Sequence, residues 1–215
     1  FNKIVCAQGV TAIVPLTKNE IIVGGGDGSL VLLYIDEPKC EELARVKLIG
    51  SIYSLSSSYD GIQLLASTDK GFIYRIRAAD LSNILLKENH TDAITHLFSL
   101  NDDKYRFSTC SNDGSIRLWN LDDYSVSSRI LINHEIIPLC MKFNDDILIS
   151  GWTDGILRCY RNIRGEELLW SIENAHKNGV TAVTHNRDSK IIISGGGTGE
   201  IRLWEVRSKE MISNL

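Results

Sequence analysis

The sequence predicts an all-β fold made of five similar units, each built from four short strands. A turn glycine recurs every 41 to 44 residues, at Gly28, Gly71, Gly114, Gly155 and Gly199. β-rich runs flank each of these turns, as in CSNDGSIRLW over 110–119. No stretch shows a helical periodicity long enough to compete with these runs. The spacing of the repeats and the β-rich runs beside them therefore predict the architecture.

Alternation and β-branched content divide each unit into four strands. In the third unit the predicted strands cover 94–100, 105–111, 115–121 and 126–132. In the fifth unit they cover 180–186, 190–196, 200–206 and 210–215. A period of about 40 to 45 residues with four strands per unit is typical of the WD-repeat β-propeller. Such a fold binds partners more often than it catalyses.

The whole chain, 1–215, is expected to be one segment of a propeller. The blades are predicted at about 10–48, 50–88, 90–132, 134–173 and 176–215, with 1–9 as the outer strand of a preceding blade. Because the fifth unit already has its own outer strand, we expect that the chain does not close by itself. The sequence thus predicts five four-stranded blades of a larger, seven-bladed propeller, with blades missing on at least one side.

Composition excludes several classes of partner. Apolar residues make up 43% of the 215, and the formal net charge is −4 with acids and bases interleaved, which does not resemble a nucleic-acid footprint. No apolar run approaches the length of a membrane span. The five cysteines lack zinc-ligand spacing and are expected to be reduced, small apolar residues. We therefore expect no nucleic acid, membrane, metal, cofactor or small-molecule substrate.

Polar residues recur at equivalent positions in the last three units. WD repeats hold a hydrogen-bonded set of a histidine before the inner strand, a Ser or Thr on the second strand, an aspartate in the turn and a tryptophan on the third. The candidates are His90, Thr109, Asp113 and Trp119 in the third unit, His134, Ser150 and Asp154 in the fourth, and His176, Ser194 and Trp204 in the fifth. Tyr160 replaces the fourth unit's tryptophan, and Thr198 stands where the fifth unit's aspartate is expected.

These sets allow a catalytic and a structural interpretation. A histidine, a hydroxyl and an aspartate could form a hydrolytic triad, which needs a nucleophile that faces a cavity beside oxyanion donors. Threefold repetition argues against it, because a catalytic site is normally single. In the structural interpretation the aspartate accepts from the imidazole, which relays to the hydroxyl and then to the indole N–H. We expect the structural role and therefore no catalytic residue.

Three arginines, Arg117, Arg158 and Arg202, share one position after the turn glycine. They could form a basic stripe for an acidic partner. The expected alternative is that each stem lies along the neighbouring blade and each guanidinium reaches water.

Trp152 stands two residues before a turn aspartate, where the other units have Gly25, Thr68, Ser111 and Gly196. A large aromatic side chain at a turn of small residues either fills a gap between blades or protrudes as a contact anchor. The candidate partner-binding residues are Trp152, Thr153, Asn112 and Lys177, because these turns and the loops before the inner strands share one rim in such propellers.

The stretch NAHKNGVTAVTHNRDSKIIISGGGTGEIRLWEV over 174–206, with GWTDGILRCY over 151–160, resembles the cilia- and flagella-associated protein 52 family of WD-repeat proteins. The resemblance covers essentially the whole chain and corresponds to most of that family's second propeller. It implies a non-enzymatic component inside ciliary doublet microtubules that binds tubulin and axonemal neighbours, with a cytoplasmic, cytoskeletal location. As a departure from the pattern, no unit has the literal WD dipeptide, since Asn120 and Glu205 follow the two third-strand tryptophans.

A second interpretation belongs to a different functional class. Propellers also read peptides, as substrate receptors in ubiquitin-ligase complexes or as readers in chromatin complexes. An enzyme ranks third, because it would need a single polar constellation in a cleft or a metal site.

Overall fold

The computed structural model describes residues 5–58, 60–99, 105–143, 147–161, 167–186 and 190–215. These residues form strands, turns and loops, and within them no helix is long and apolar enough to cross a membrane. The strands form five four-stranded antiparallel sheets, in each of which consecutive strands are neighbours. This confirms the predicted fold class.

The strands follow one another as four per sheet along the chain. The first sheet holds β1 (Val10–Pro15), β2 (Glu20–Gly25), β3 (Ser29–Asp36) and β4 (Lys39–Lys47). The second holds β5 (Ile52–Ser57), β6 (Gln63–Thr68), β7 (Ile73–Arg77) and β8 (Asn83–Leu85). The third holds β9 (Ile94–Ser99), β10 (Arg106–Ser111), β11 (Ser115–Asn120) and β12 (Val126–Leu131). The fourth holds β13 (Pro138–Phe143), β14 (Ile147–Trp152), β15 (Leu157–Arg161) and β16 (Leu168–Ile172). The fifth holds β17 (Val180–His185), β18 (Ile191–Gly196), β19 (Ile201–Glu205) and β20 (Met211–Asn214).

The N-terminal segment differs from the expected outer strand. Residues 1–4 lie outside the described residues, and residues 5–9 contain no strand. They form a turn in which the Gly9 N–H donates to the Cys6 carbonyl at 3.3 Å. The turn leads directly into β1.

The chain folds as two compact units. Unit 1 comprises Phe1–Thr109 with Asn120–Ser125, and unit 2 comprises Cys110–Trp119 with Val126–Leu215. Fully buried aliphatic side chains fill unit 1, among them Ile22, Leu30, Ile52 and Leu64. Burying one such side chain contributes about 1.5–3 kcal/mol.

In unit 2 the fourth sheet is covered and the fifth is more open. Ile149 and Leu157 of the fourth sheet are 0% exposed and belong to a core with Val180. Their equivalents in the fifth sheet, Ile193 and Ile201, are 38% and 46% exposed. One face of β18 and β19 therefore presents apolar side chains to solvent.

The five recurring glycines occupy the same left-handed turn position. Their φ angles are +80°, +76°, +83°, +78° and +92° for Gly28, Gly71, Gly114, Gly155 and Gly199. In each turn the glycine N–H donates to the carbonyl three residues earlier, at 3.0 to 3.2 Å. A side chain disfavours this conformation. Glycine therefore recurs along the sequence because each turn requires a backbone with positive φ.

The turn glycines also join one sheet to the next. We call the residue four positions before each inner strand the approach position; it holds Cys6, Leu48, His90, His134 and His176. The Leu48 N–H donates to the Gly28 carbonyl at 2.9 Å. His90 and His176 donate in the same way to Gly71 and Gly155, both at 3.1 Å. A Cβ at position 155 would overlap the His176 carbonyl oxygen, so this close approach also requires glycine.

The turn glycine adopts a left-handed conformation and also allows a close approach of neighbouring backbone. Substitutions at two of these glycines separate the two requirements. A Cβ on Gly199 would meet no atom within 4 Å, although its φ is +92°. Gly199→Ala should lower the free energy of unfolding by about 1–2 kcal/mol, the cost of a left-handed alanine. Gly155→Ala adds a collision with rigid backbone and should cost about 3–5 kcal/mol in total. Chemical denaturation of both variants measures the difference, and equal losses would contradict the close-approach argument.

Candidate functional site

The fifth sheet contains a continuous chain of hydrogen bonds. The Trp204 indole N–H donates to Ser194 Oγ at 2.8 Å, and that oxygen lies 2.8 Å from His176 Nε2. The other imidazole nitrogen, Nδ1, lies 2.9 Å from Glu200 Oε1. With Nδ1–H donating to the carboxylate, Nε2 accepts from the serine hydroxyl, which accepts from the indole. His176 and Ser194 are almost fully buried, so the chain satisfies polar groups inside the sheet.

Glu200 is the residue that sequence reasoning missed. The turn position holds Thr198, which suggested that this unit has no carboxylate acceptor. The carboxylate is instead supplied from two residues later, and the Thr198 hydroxyl bonds to its second oxygen. A Cβ on Gly196 would lie 2.6 Å from Glu200 Oε1, so the glycine makes room for it. The sequence offered one signal for this acceptor, the acidic Glu200 close to Gly196, which has no side chain.

Hydrogen bonding lowers the pKa of Glu200 to about 2. The largest cause is the bond from the Thr198 hydroxyl, followed by the bond from His176. The group is therefore a carboxylate throughout the neutral range, as the relay requires.

The predicted set of the third sheet draws its residues from both units. In unit 1, His90 Nε2 lies 2.7 Å from Thr109 Oγ1, and both residues are buried. In unit 2, Asp113 accepts from the Ser115 N–H at 3.0 Å and pairs with Arg117 at 3.4 Å. Trp119, also in unit 2, is 0% exposed.

The fourth sheet departs from the expected set. The Trp152 indole N–H donates to Ser150 Oγ at 2.7 Å, and Trp152 is 0% exposed. His134 is exposed, which corrects its assignment to a buried set. The fifth sheet supplies the reason, because a Cβ on Gly196 would overlap His176 Nδ1. Position 196 is equivalent to position 152 of the fourth sheet. The space beside it holds either the side chain of that residue or a buried imidazole, and in the fourth sheet the Trp152 indole occupies it.

Burial also corrects the assignment of Trp152 as an exposed contact anchor. Its neighbour Thr153 remains exposed, although its backbone N–H and its Oγ1 both bond to Ile137, each at 3.0 Å. A Cβ on Gly179 would lie 3.4 Å from the Thr153 Cα, so the loop that carries exposed Lys177 passes beside this turn. Asn112 is exposed at the equivalent turn of the third sheet.

The three equivalent arginines do not hold their guanidinium groups out in water, which corrects the expected arrangement, and they do not form an exposed basic stripe either. Arg158 makes two hydrogen bonds to Asp154, at 3.1 and 2.6 Å, and lies 5.5 Å from the centre of the Trp152 ring. Its side chain is only 12% exposed. Arg117 pairs with its own turn aspartate, and Arg202 donates to the Ala175 carbonyl at 2.6 Å. Local acceptors therefore hold all three guanidinium groups.

The first two sheets place apolar side chains at the approach position. Cys6 and Leu48 are both 5% exposed, where the third and fifth sheets have buried histidines. Burial raises the pKa of the Cys6 thiol, and it raises the pKa values of Cys140 and Cys159 to about 12. Such thiols are un-ionised and unreactive at neutral pH. Among the described residues no group of three or more His, Cys, Asp or Glu side chains could hold a metal ion.

Comparisons with known proteins agree with this architecture. The family model for the WD domain, G-beta repeat, matches residues 83–120 and 167–205. The human cilia- and flagella-associated protein 52 is 32% identical over 199 residues, which are 92% of this chain and 32% of that protein. The Chlamydomonas reinhardtii protein of the same name is 33% identical over 93% of this chain and 32% of its own length. The chain thus spans about a third of these relatives.

A solved structure shows the same fold at low sequence similarity. The WD40 beta propeller domain of Doa1 superposes with a TM-score of 0.81 over 97% of this chain and 68% of that chain, at 14% identity. At this identity the likeness concerns the fold alone. Together with the matched repeats, it shows that the chain has the fold of a WD-repeat β-propeller.

The burial of Trp152 leads to a stability prediction. Trp152→Ala should lower the free energy of unfolding by about 3–5 kcal/mol, because it leaves a cavity and removes the indole donor to Ser150. Trp152→Phe should cost less, since most of the packing remains. Lys177→Ala, at an exposed neighbouring position, should stay within about 0.5 kcal/mol of the wild type. A Trp152→Ala protein with an unchanged melting temperature would contradict the interior placement.

The depressed pKa of Glu200 leads to a pH prediction. Because the folded-state pKa lies below 4.5, the ordinary glutamate value, the carboxylate's contribution is complete above that pH and is lost as pH falls towards about 2. Thermal melts between these limits should show a smaller loss of stability for Glu200→Gln than for the wild type. Glu210→Gln, at an exposed position, is the control and should follow the wild type. Parallel curves for all three proteins would contradict the depressed pKa of Glu200.

Proposed function

We propose that this chain, a WD-repeat β-propeller chain similar to cilia- and flagella-associated protein 52, is a non-catalytic interaction scaffold of ciliary or flagellar axonemal microtubules. The observation that carries the proposal is the similarity over 92% and 93% of the chain to relatives from a mammal and an alga, both named for cilia and flagella. By the resemblance, the partners are tubulin and neighbouring axonemal proteins, and the position is that of a microtubule inner protein.

The bonding of the polar side chains supports a non-catalytic role. The Ser194 hydroxyl lies between an indole and an imidazole, and the residue is 1% exposed. A nucleophile must reach its substrate, whereas this oxygen is enclosed by its two partners. The repeated His and Ser or Thr residues therefore stabilise sheets and leave binding to the surface.

The surface proposed for partner contact lies in unit 2, at the turns after the second strands. It comprises Thr153, Lys177 and Asn112, together with His134, which is exposed because Trp152 occupies the interior. We call these four residues the unit 2 rim. Their charge is low and their functional groups are hydrogen-bonding ones, which fits a polar protein contact rather than an apolar core contact.

The proposal is tested with the intact tagged protein in ciliated cells. Cross-linking and mass spectrometry of salt-washed axonemes should recover it joined to tubulin or to neighbouring axonemal proteins. Lys177→Glu should reduce retention in the axoneme about tenfold, whereas Arg207→Glu, the same charge change at an exposed turn of unit 2, should leave it unchanged.

Two results would overturn parts of this proposal. Recovery from the soluble fraction with ubiquitin-ligase or chromatin subunits would favour the peptide-reader function. Axonemal retention that is unaffected by Lys177→Glu would keep the scaffold function but move the contact away from the unit 2 rim.

A further inference from the structure

Two open grooves meet at one exposed isoleucine in unit 1. The first has a volume of about 500 Å³ and is lined by Leu16, Glu20, Leu43, Asp60, Ile62 and Arg77, among others. The second has a volume of about 410 Å³ and is lined by Ile62, Gln63, Arg75, Arg77 and Ile84, among others. Ile62 and Arg77 line both grooves, so the two grooves adjoin. Together they run from the first sheet across the second.

Three large apolar side chains in the walls of these grooves are unusually exposed. Ile62 is 57% exposed, Leu43 is 48% exposed and Ile84 is 64% exposed. Large exposed apolar side chains that share a concave surface are typical of binding sites. The floor is already packed, since Leu32 is 5% exposed and Ala78 is 5% exposed.

The unit that carries the grooves is acidic. Unit 1 contains fifteen Asp or Glu and eleven Lys or Arg residues, whereas unit 2 contains twelve of each. The whole formal net charge of −4 therefore resides in unit 1. Glu20 and Asp60 lie in the first groove, and two arginines also line the grooves. Arg77 pairs with Asp80 at 3.6 Å, and Arg75 donates to Gln63 at 2.9 Å.

A protruding hairpin adds to this negative charge. β3 has 8 residues and β4 has 9, against 5 and 3 for β7 and β8 of the second sheet. The extension pairs Asp36 with Lys39 and exposes Asp36, Glu37 and Glu41. Because β4 also supplies Leu43 to the groove, the hairpin and the apolar wall belong to one surface.

We propose that these grooves dock an extended segment of a partner protein in which apolar side chains are interspersed with lysine or arginine. The inference rests on the proposed role as an interaction scaffold and names the chemistry of one partner. The apolar side chains would pack against Leu43, Ile62 and Ile84. The basic side chains would face Glu20, Asp60 and the acidic hairpin. An extended chain suits a surface that is a run of two shallow grooves beside the short outer strand β8.

The charge argues against the other occupants. A second copy of this chain would bring another acidic unit 1, or a neutral unit 2, to the grooves. A nucleic acid or an anionic membrane surface would be repelled by the same carboxylates. Basic residues on the partner are therefore the complement that this surface selects.

The test measures fluorescence anisotropy of labelled nonapeptides with the purified intact protein. The probe alternates leucine with lysine, one comparison peptide replaces every lysine by glutamate, and another replaces every leucine by alanine. Only the leucine–lysine peptide should bind well, and added salt should weaken its binding because the attraction is partly electrostatic. Equal binding of the glutamate peptide, or no binding of any peptide, would overturn the proposal.

Substitutions then place the binding in the grooves. Ile62→Ser and Leu43→Ser should each weaken binding about tenfold or more, whereas Ile49→Ser, at an isoleucine 63% exposed in unit 1 outside the grooves, should not. Asp60→Asn, which retains the Oδ1 acceptor that holds the Ile62 N–H at 3.0 Å, should weaken binding about threefold, with Glu88→Gln as its control.

Two further outcomes would also count against the proposal. Binding that is unchanged by Ile62→Ser and Leu43→Ser would place the peptide elsewhere. Sedimentation showing a dimer that Ile62→Ser dissociates would assign the grooves to a second copy. Peptide binding in the grooves by a protein absent from axonemes would contradict the proposed ciliary function while leaving this inference intact.

Discussion

The structure depends on a backbone hydrogen bond between the turn glycine of one sheet and the approach residue of the next. It recurs from Gly28 to Leu48, from Gly71 to His90 and from Gly155 to His176, whatever the side chain at the approach position. Within the first, second, fourth and fifth sheets, a second backbone bond ties the turn to the loop before the inner strand, as from the Thr153 N–H to the Ile137 carbonyl. Side chains can therefore vary at the rim while the spacing of the sheets is kept by main-chain groups.

The variation in side chains follows from this backbone frame. The buried side chain of this region is an imidazole in the third and fifth sheets, a thiol or a leucine in the first two, and an indole in the fourth. Each of these side chains is buried, and the imidazoles and the indole bond to a serine or threonine on the second strand. The backbone arrangement thus accepts either a hydrogen-bonded or an apolar side chain, provided that this side chain fills the buried volume.

Sequence reasoning succeeded where a requirement is local and failed where it depends on the space left by a neighbour. The left-handed turn glycines predicted all five sheets, because a positive φ is a property of one residue. Glu200 and Trp152 could not be placed in this way. Whether a carboxylate two residues further on reaches an imidazole, or an indole turns inward, depends on the room that Gly196 leaves in one sheet and Trp152 fills in another. The grooves at Ile62 likewise combine residues from two sheets, which no single motif encodes.

The exchange of an indole for an imidazole in the fourth sheet couples two positions that are eighteen residues apart in the chain. A histidine at 134 has no interior role while a tryptophan stands at 152, and a small residue at 152 would need a buried partner from 134 to fill the void. Changes at the two positions should therefore be non-additive. Residue 134 does not fill the interior, so selection can act on it through surface contacts. Residue 152 carries the packing constraint instead.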